Sequence, residues 1–338
     1  MTLPPRSVLV LHEALGADAR PDELDALVQV REVTEALERL HWKASTLEID
    51  LNLELALERL QRNKPNCVFN LVESLHGRGE LIGIVPALLE STCIPFTGSG
   101  SDAINLSSQK TLAKRWMRLH GVATPEWLSA ADAADDGEGE DGTWIVKSLW
   151  EHASLGLDDS SVVYGRVAAD RRIRQCQERF GGQWFAERYI DGREFNISII
   201  EQKGQPYVLP VAEMTFVDYP PDKPRIVGYQ AKWDESAHEY TATQRRFAAL
   251  DAAEQDSLTA LSKKCWTWFG LRGYARVDIR MDGEGIPWVL EINANPCLAK
   301  DAGFAAAAAE AGFRYRQIID MVLHAAIRPV LPVLRRAG

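Results

Sequence analysis

The stretch "ARVDIRMDGEGIPWVLEINANP", Ala275 to Pro296, alternates polar and apolar residues on both sides of Asp282-Gly283. Period-two alternation belongs to extended strands, because successive side chains along a strand point to opposite faces. The turn residues between the two runs make them a hairpin. One face then carries Arg276 and Asp278 from the first strand and Glu291 and Asn293 from the second. A strand buried in a core should be apolar, so three oxygen-bearing side chains on one face need a reason.

Upstream, the first hundred residues alternate strand and helix patterns: "SVLVLH", then "DELDALVQVREVTEALERL" with apolar residues at helical spacing, then "ASTLEI", a short helix and "NCVFNL". That order predicts an α/β fold with a doubly wound parallel sheet at the N-terminus. After a Gly-rich turn, "SSQKTLAKRWMRLHGVATP" places an amphipathic helix that opens near Asn105 to Ser108 and stops at Gly121 and Pro125. "SAADAADDGEGEDGT" reads as an acidic, solvated loop. Strand patterns follow in "TWIVKS", "QWFAERYI" and "EFNISIIE", then an irregular segment over 215–240, a long helix from about Gln244 to Phe269, the hairpin, and an Ala-rich helix.

Bulk properties narrow the function. A chain of 338 residues, 46% hydrophobic and 25% charged, has room for two or three domains. A net charge of -10 argues against nonspecific nucleic-acid binding, which needs clustered Lys and Arg. No apolar run approaches a membrane span and no signal peptide is evident, so a cytoplasmic location without membrane partners is expected. The five cysteines, at 67, 93, 176, 265 and 297, lack CxxC spacing, so neither zinc nor a disulfide framework is suggested and mostly buried thiols are expected.

Asp278, Glu291 and Asn293 are hard oxygen donors that suit Mg²⁺, and a magnesium site with few carboxylates usually shares its ion with substrate phosphates. The alternative is that Asp278 pairs with Arg276 or Arg280, Glu291 faces solvent, and Asn293 makes a turn before Pro296. No GxxxxGK[ST] is present, so phosphate charge would have to be met by isolated lysines. Lys147 ends the strand "WIVK" ahead of the small-residue loop "SLWEHASLG", Lys110 opens a helix, and Lys232 lies in "VGYQAKWDES". In "FAERYIDGREF", Glu187 and Glu194 flank a strand end and a turn.

Taken in order, "LHGRGELIGIVPALLESTCIPFTGSG", "SSQKTLAKRWMRLHGVATP", "WIVKSLWEHASLG", "FAERYIDGREFNISII", "YQAKW" and "ARVDIRMDGEGIPWVLEINANP" resemble the D-alanine–D-alanine ligase family of the ATP-grasp superfamily over nearly the whole chain. The resemblance implies an N-terminal α/β domain over 1–104, a central ATP-grasp subdomain over 105–186 and a C-terminal one over 187–338, the last two α+β and clamping ATP. It makes Lys110 and Lys147 phosphate contacts, Glu187 an acceptor for the adenine amino group, Arg188 and Ile190 backbone partners of the adenine edge, and Glu194 a holder of ribose hydroxyls. Asp278, Glu291 and Asn293 would hold two Mg²⁺, and Lys232 would reach the γ-phosphate as its loop closes. The implied reaction phosphorylates a carboxylate and lets an amine attack the acyl phosphate, with Arg276 stabilising the oxyanion of the second step. Ser154 and His76 also match family positions near the chemistry, although a lone histidine can equally be structural. The family is commonly dimeric.

The substrate end departs from the family. Where the family has "EGSS", this loop reads "EHAS": Glu151 and Ser154 match, His152 replaces glycine, and Ala153 replaces a serine that orients the first amino acid. The tyrosine after the loop lysine is Trp233, and only Glu23 or Asp25 could stand in for the N-terminal glutamate. Cys297 replaces glycine, and the Ser-Leu of the second amino-acid site becomes Ala302-Gly303. Neither Ala nor Trp can relay a hydroxyl–carboxylate network. The resemblance therefore implies an ATP-dependent amino-acid or carboxylate ligase with substrates other than D-alanine. A D-alanine–D-alanine ligase with a rebuilt pocket and a nucleotide-binding regulator without activity stay as alternatives.

Overall fold

The computed structural model describes residues 6–327 apart from 17, 18, 20, 130–141, 152 and 153. The acidic stretch read as a surface loop falls largely on 130–141, and His152 and Ala153 fall on the last two positions, so these expectations lie outside the described residues. Three sheets follow one another along the chain.

In the first, β1 (Ser7–Glu13), β2 (Lys43–Ile49) and β3 (Cys67–Asn70) run parallel in the order β2-β1-β3. Parallel neighbours need crossover connections, here the helices Pro21–Arg39 and Leu53–Asn63. Val8 and Val10 pack toward the first helix with Val33 and Leu37, whereas Leu9 and Leu11 pack on the other side with Leu60 and Leu89. Both faces are covered, which is the doubly wound arrangement expected.

The second sheet is antiparallel, with β4 (Trp127–Ser129), β5 (Thr143–Ser148), β6 (Val162–Tyr164) and β7 (Trp184–Arg188) in the order β4-β7-β5-β6. Trp144, Val146 and Ala186 bury against Ala169, Ile173 and Cys176 of the helix Arg166–Phe180. Ile145, Lys147 and Glu187 consequently face the opposite way. β7 spans position 187, where the third unit was expected to begin.

The third sheet holds β8 (Arg193–Gln202), β9 (Gln205–Val208), β10 (Ala212–Phe216), β11 (Thr243–Phe247), β12 (Tyr274–Met281) and β13 (Pro287–Asn293). Its order is β11-β10-β8-β12-β13, with β9 also on β8. One face packs Phe195, Ile197, Val277, Ile279 and Ile292 against Met117, Leu258 and Cys265 of two helices. The other face is polar where Glu194, Asn196, Arg276, Asp278 and Arg280 line a cleft, and apolar at Ile200 and Tyr274, which pack with Phe304, Ile318 and Ile319. β12 and β13 form the expected hairpin, closed by Asp282, whose Oδ1 accepts from the backbone N–H groups of Glu284 and Ile286 and whose Oδ2 accepts from Trp288 Nε1.

Two local expectations are corrected. The long helix begins at Ala252 and not near Gln244, because Thr243–Phe247 pairs with β10 as an edge strand. Asp251 sets the helix start through a capping box with Glu254. The segment 215–240 is not wholly irregular: it includes the helix Tyr229–Trp233 and the start of a second, His238–Ala242. Of the cysteines, Cys67, Cys176 and Cys265 are buried, Cys297 half-buried and Cys93 exposed.

Two glycines set how closely these parts approach. Gly192, with φ 153°, turns the chain from β7 into β8, and a Cβ there would lie 1.9 Å from the carbonyl oxygen of Met281. Gly79 sits against the loop after β5, where a Cβ would lie 2.9 Å from the Trp150 carbonyl oxygen.

Candidate active site

The polar face of the third sheet, the inner face of the second and the C-terminal ends of the first enclose a cleft of about 500 Å³. Lys110 begins the helix Lys110–Leu119, whose first turn abuts the loop after β5, so its Nζ donates to the Glu151 carbonyl at 2.8 Å and lies 3.8 Å from Glu291 Oε2. Lys147 enters from β5.

Between Lys147 and Lys114, a second lysine of the helix Lys110–Leu119, sits Glu187, 1% exposed. Lys114 Nζ lies 2.6 Å from its Oε2 and Lys147 Nζ 2.6 Å from its Oε1. Burial alone would raise the Glu187 carboxyl, but the two ammonium groups outweigh it and hold it below the usual carboxylate range. Burial likewise opposes the charge of Lys147, yet Glu187 outweighs that and raises its pKa. For Lys110 and Lys114 burial wins and both are lowered. Lys114 is absent from the sequence reading. Its only signal is the spacing of "KTLAK", which sets it four residues after Lys110 on the same helix face.

The hairpin residues share one face as the alternation requires. Arg276 is opposite Asn293 and Asp278 is opposite Glu291, with a bulge at Leu290 before the register resumes at Ile279 and Val289. The ion pair considered for Asp278 is present: Arg276 Nε and Nη2 reach its Oδ1 and Oδ2 at 2.7 and 2.8 Å. Asn196 of β8, directly opposite on the other side, donates to Asp278 Oδ1 at 2.9 Å. Burial raises the Asp278 carboxyl while the same pair holds Arg276 protonated. The two-pronged geometry is that of an ionised pair. Among the described residues no three His, Cys, Asp or Glu side chains are placed to hold a metal ion by themselves. The donor set is instead two carboxylates and an amide, all hard oxygens, which fits a Mg²⁺ that completes its shell with phosphate and water and does not fit zinc.

At the outer end, Arg280 Nε and Nη2 both bond Glu194 Oε2, at 3.0 and 2.8 Å, so Glu194 Oε1 keeps its acceptor capacity. Arg188 and Ile190 line the cleft, but the Arg188 N–H donates to the Glu126 carbonyl and the Ile190 carbonyl accepts from Arg280 Nη1. Lys232 projects from the helix Tyr229–Trp233 into the cleft without an ion pair among the described residues. It is reached by solvent yet ringed by protein, and burial followed by Arg276 lowers its pKa. Its segment is tied down at Val227, whose carbonyl accepts from Ser154 Oγ at 2.8 Å, and at Tyr229, whose N–H donates to the Leu157 carbonyl.

The substrate end is more acidic than the sequence reading foresaw. Glu23 and Asp25 both reach the cleft, joined by Glu13 and Glu73. Glu13 accepts from Ser74 Oγ and the Gly77 N–H, and Glu73 accepts from Gln29 Nε2 at 3.2 Å. Burial, then neighbouring Asp25 and Glu13 against the pull of Gln29 and Arg276, pushes Glu73 up to about 7. Glu151, Trp233, Cys297 and Ala302 line the same end. Glu151 Oε1 accepts from the Gly79 N–H, and the Cys297 thiol points at Asp25 Oδ2 and is raised by burial. His76 is the exception: it is exposed and outside the cleft lining. It and Gly77, at φ 56° and 66°, form the tip of a tight turn between Leu75 and Arg78, which leaves His76 in solvent.

Three comparisons bear on this arrangement. The family profile described as the D-ala D-ala ligase C-terminus matches residues 144–324. A D-alanine–D-alanine ligase of Stutzerimonas stutzeri is 30% identical over 79% of this chain and 79% of its own length. Another, of Synechococcus sp. strain JA-3-3Ab, is 28% identical over 90% of this chain and 89% of its own. Among solved structures, a D-alanine–D-alanine ligase from Bacillus anthracis complexed with ATP superposes with a TM-score of 0.73 at 22% identity, covering 96% of this chain and 98% of that one.

Proposed function

The chain belongs to the D-alanine–D-alanine ligase family of ATP-grasp enzymes, and we propose that it joins a carboxylate to an amine at the cost of ATP, through an acyl phosphate, with at least one substrate other than D-alanine. The observation that carries this is the meeting, on one cleft, of Lys110, Lys147 and Lys232 with the oxygen-donor face of Asp278, Glu291 and Asn293. A triphosphate brings negative charge that three ammonium groups can meet. Bound Mg²⁺, two ions in this proposal and held by Asp278, Glu291 and Asn293, would supply charge neutralisation at the phosphoryl oxygens.

Lys147 is kept charged and aimed by Glu187, whose remaining lone pairs would accept from the adenine amino group. Glu194, through its unengaged Oε1, would hold ribose hydroxyls, and Arg188 and Ile190 would flank the base. Lys232 would meet the γ-phosphate, its closed segment excluding water from an intermediate that hydrolyses readily. Arg276 would stabilise the oxyanion formed when the amine attacks. Ser154 acts here as a clasp on that segment through Val227. Glu13, Glu23, Asp25 and Glu73 would receive the ammonium of an amino-acid substrate.

Substrates other than D-alanine are favoured by Trp233 and Ala302, which line the cleft where the family resemblance expects a tyrosine and a serine. The second reading, a D-alanine–D-alanine ligase, is favoured by the names of the Stutzerimonas and Synechococcus relatives. No helix among the described residues is long and apolar enough to cross a membrane. A cytoplasmic homodimer acting on small molecules, divided at 104/105 and near 186/187, completes the proposal. Release of ADP and phosphate with Mg²⁺-ATP across D- and L-amino acids, with the product identified by mass spectrometry, tests it. Turnover with D-alanine alone would favour the second reading, and no turnover with any pair would overturn both.

A further inference from the structure

Every guanidinium of the hairpin face is committed to a carboxylate, Arg276 to Asp278 and Arg280 to Glu194. Arg245 of β11 is not. Among the described residues its one hydrogen bond runs from Nη2 to the Asp301 backbone carbonyl at 3.2 Å and it makes no ion pair, although the Asp301 carboxylate lies near enough to act on its charge. Strand register nonetheless puts it on the same working face. Arg245 is opposite Met214, Met214 opposite Glu194 and Glu194 opposite Arg280, a row that crosses four strands and lines the cleft throughout.

Its position along that row matters. Arg280 and Glu194 mark the outer, nucleotide end, whereas Arg245 stands at the far edge beside Ala302 and Gly303, with Nη1 3.6 Å from where a Cβ on Gly303 would be. Ala302 offers no side-chain donor there. A guanidinium supplies a planar fork that matches a carboxylate in two bonds. The substrate end of the cleft also carries an acidic wall of Glu13, Asp25 and Glu73, which repels carboxylates and attracts ammonium groups, so Arg245 is the guanidinium there that a carboxylate can meet.

Resting on the ligase reading above, we infer that Arg245 is the specificity-determining residue for the amine-bearing substrate, binding a carboxylate of that substrate which takes no part in the reaction. The accepted amine is therefore a free amino acid, or a peptide with a free C-terminus, and not a simple amine. The chemistry balances without a further reactant: the neutral amine nitrogen forms the C–N bond to the acyl carbon, the acyl C–O bond breaks with its electron pair leaving on phosphate, the proton lost from nitrogen passes to phosphate or water, and the carboxylate on Arg245 stays unchanged.

The test compares the full-length protein with Arg245→Gln and Arg245→Lys, using Mg²⁺-ATP, free amino acids and the same amino acids capped as carboxamides. Losing a charge-assisted bond should raise KM for the free amino acid about 10- to 100-fold in Arg245→Gln, with Arg245→Lys recovering part of it. KM for ATP should be unchanged, and the capped amines should be poor substrates of both wild type and Arg245→Gln. Equal KM values for the free amino acid in wild type and Arg245→Gln would overturn the inference, as would equally good use of capped amines by the wild type. If no amino acid releases ADP, the ligase reading fails separately. Thermal-shift titration with the same amino acids in Mg²⁺-ADP then decides for Arg245: a shift in wild type that Arg245→Gln abolishes supports it, and equal or absent shifts overturn it.

Discussion

Lys114 and Glu187 form an ion pair with both side chains out of reach of solvent, Nζ to Oε2 at 2.6 Å and exposures of 0% and 1%. A buried charge is held in place by its partner, so removing one member exposes the cost of burying the other. Lys114 also donates to Thr124 Oγ1, which itself donates to the Val289 carbonyl of β13. The pair therefore links the helix Lys110–Leu119, the second sheet and the hairpin behind the cleft. Lys114→Met should lower stability by about 3 kcal/mol, the low end for a broken buried pair, because Lys147 still faces Glu187. Denaturant titration measures this, and a loss under 1 kcal/mol would show that Lys147 alone suffices.

Glu291 sits differently. Its side chain is 27% exposed and Lys110 lies 3.8 Å away, so solvent screens much of its charge. Glu291→Gln keeps the shape and removes one negative charge from the donor set. Ligation should fall by about 10²- to 10³-fold, the scale for losing one preorganised electrostatic group, with the melting temperature within a few degrees of wild type. Near wild-type turnover would refute the proposed magnesium role.

The hairpin was readable because its alternation is dictated by pleat geometry alone, and the paired residues of β12 and β13 follow from it directly. Glu194 and Asn196 of β8 occupy the same face for the same reason. What could not be read came from tertiary partners. "TQRRF" is a strand only because β10 offers an edge, so Arg245 was hidden inside an expected helix. Lys114 looks like any helical lysine until Glu187 arrives from 73 residues away. Glu13 and Glu73 sit at or just after ends of parallel strands, where clefts open in such sheets, but no local pattern marks which carboxylates point inward.

Gly192→Ala tests how tightly the two antiparallel sheets are fixed to one another. The Cβ would stand 1.9 Å from the Met281 carbonyl oxygen, and φ 153° is already poor for any other residue. Neither backbone can retreat without moving β8 or β12, which carry Glu194 and Asp278. The substitution should cost at least about 3 kcal/mol, above the usual range for overpacking, and should raise KM for ATP by displacing Glu194. A stable variant with unchanged nucleotide affinity would show that the turn relaxes independently of the cleft.

Glu73 gives the cleft a pH signature in the absence of substrate. Burial leads the forces that lift it from 4.5 to about 7, so the folded state binds a proton that the unfolded chain releases. Its sign follows from linkage: stability is greatest below about pH 4.5 for this group and falls as pH rises toward 7, where the carboxylate must ionise inside the protein. The full shift corresponds to about 3 kcal/mol, and partial access of solvent through the cleft reduces it to about 2. Glu73→Gln keeps the bond with Gln29 available and has no proton to lose. It should be more stable than wild type at pH 8 by about 2 kcal/mol and equal to it near pH 5, as read from denaturant midpoints at the two pH values. Parallel pH profiles for the two proteins would place the titration elsewhere in the acidic wall, with Asp25, also raised by burial, as the next group to replace.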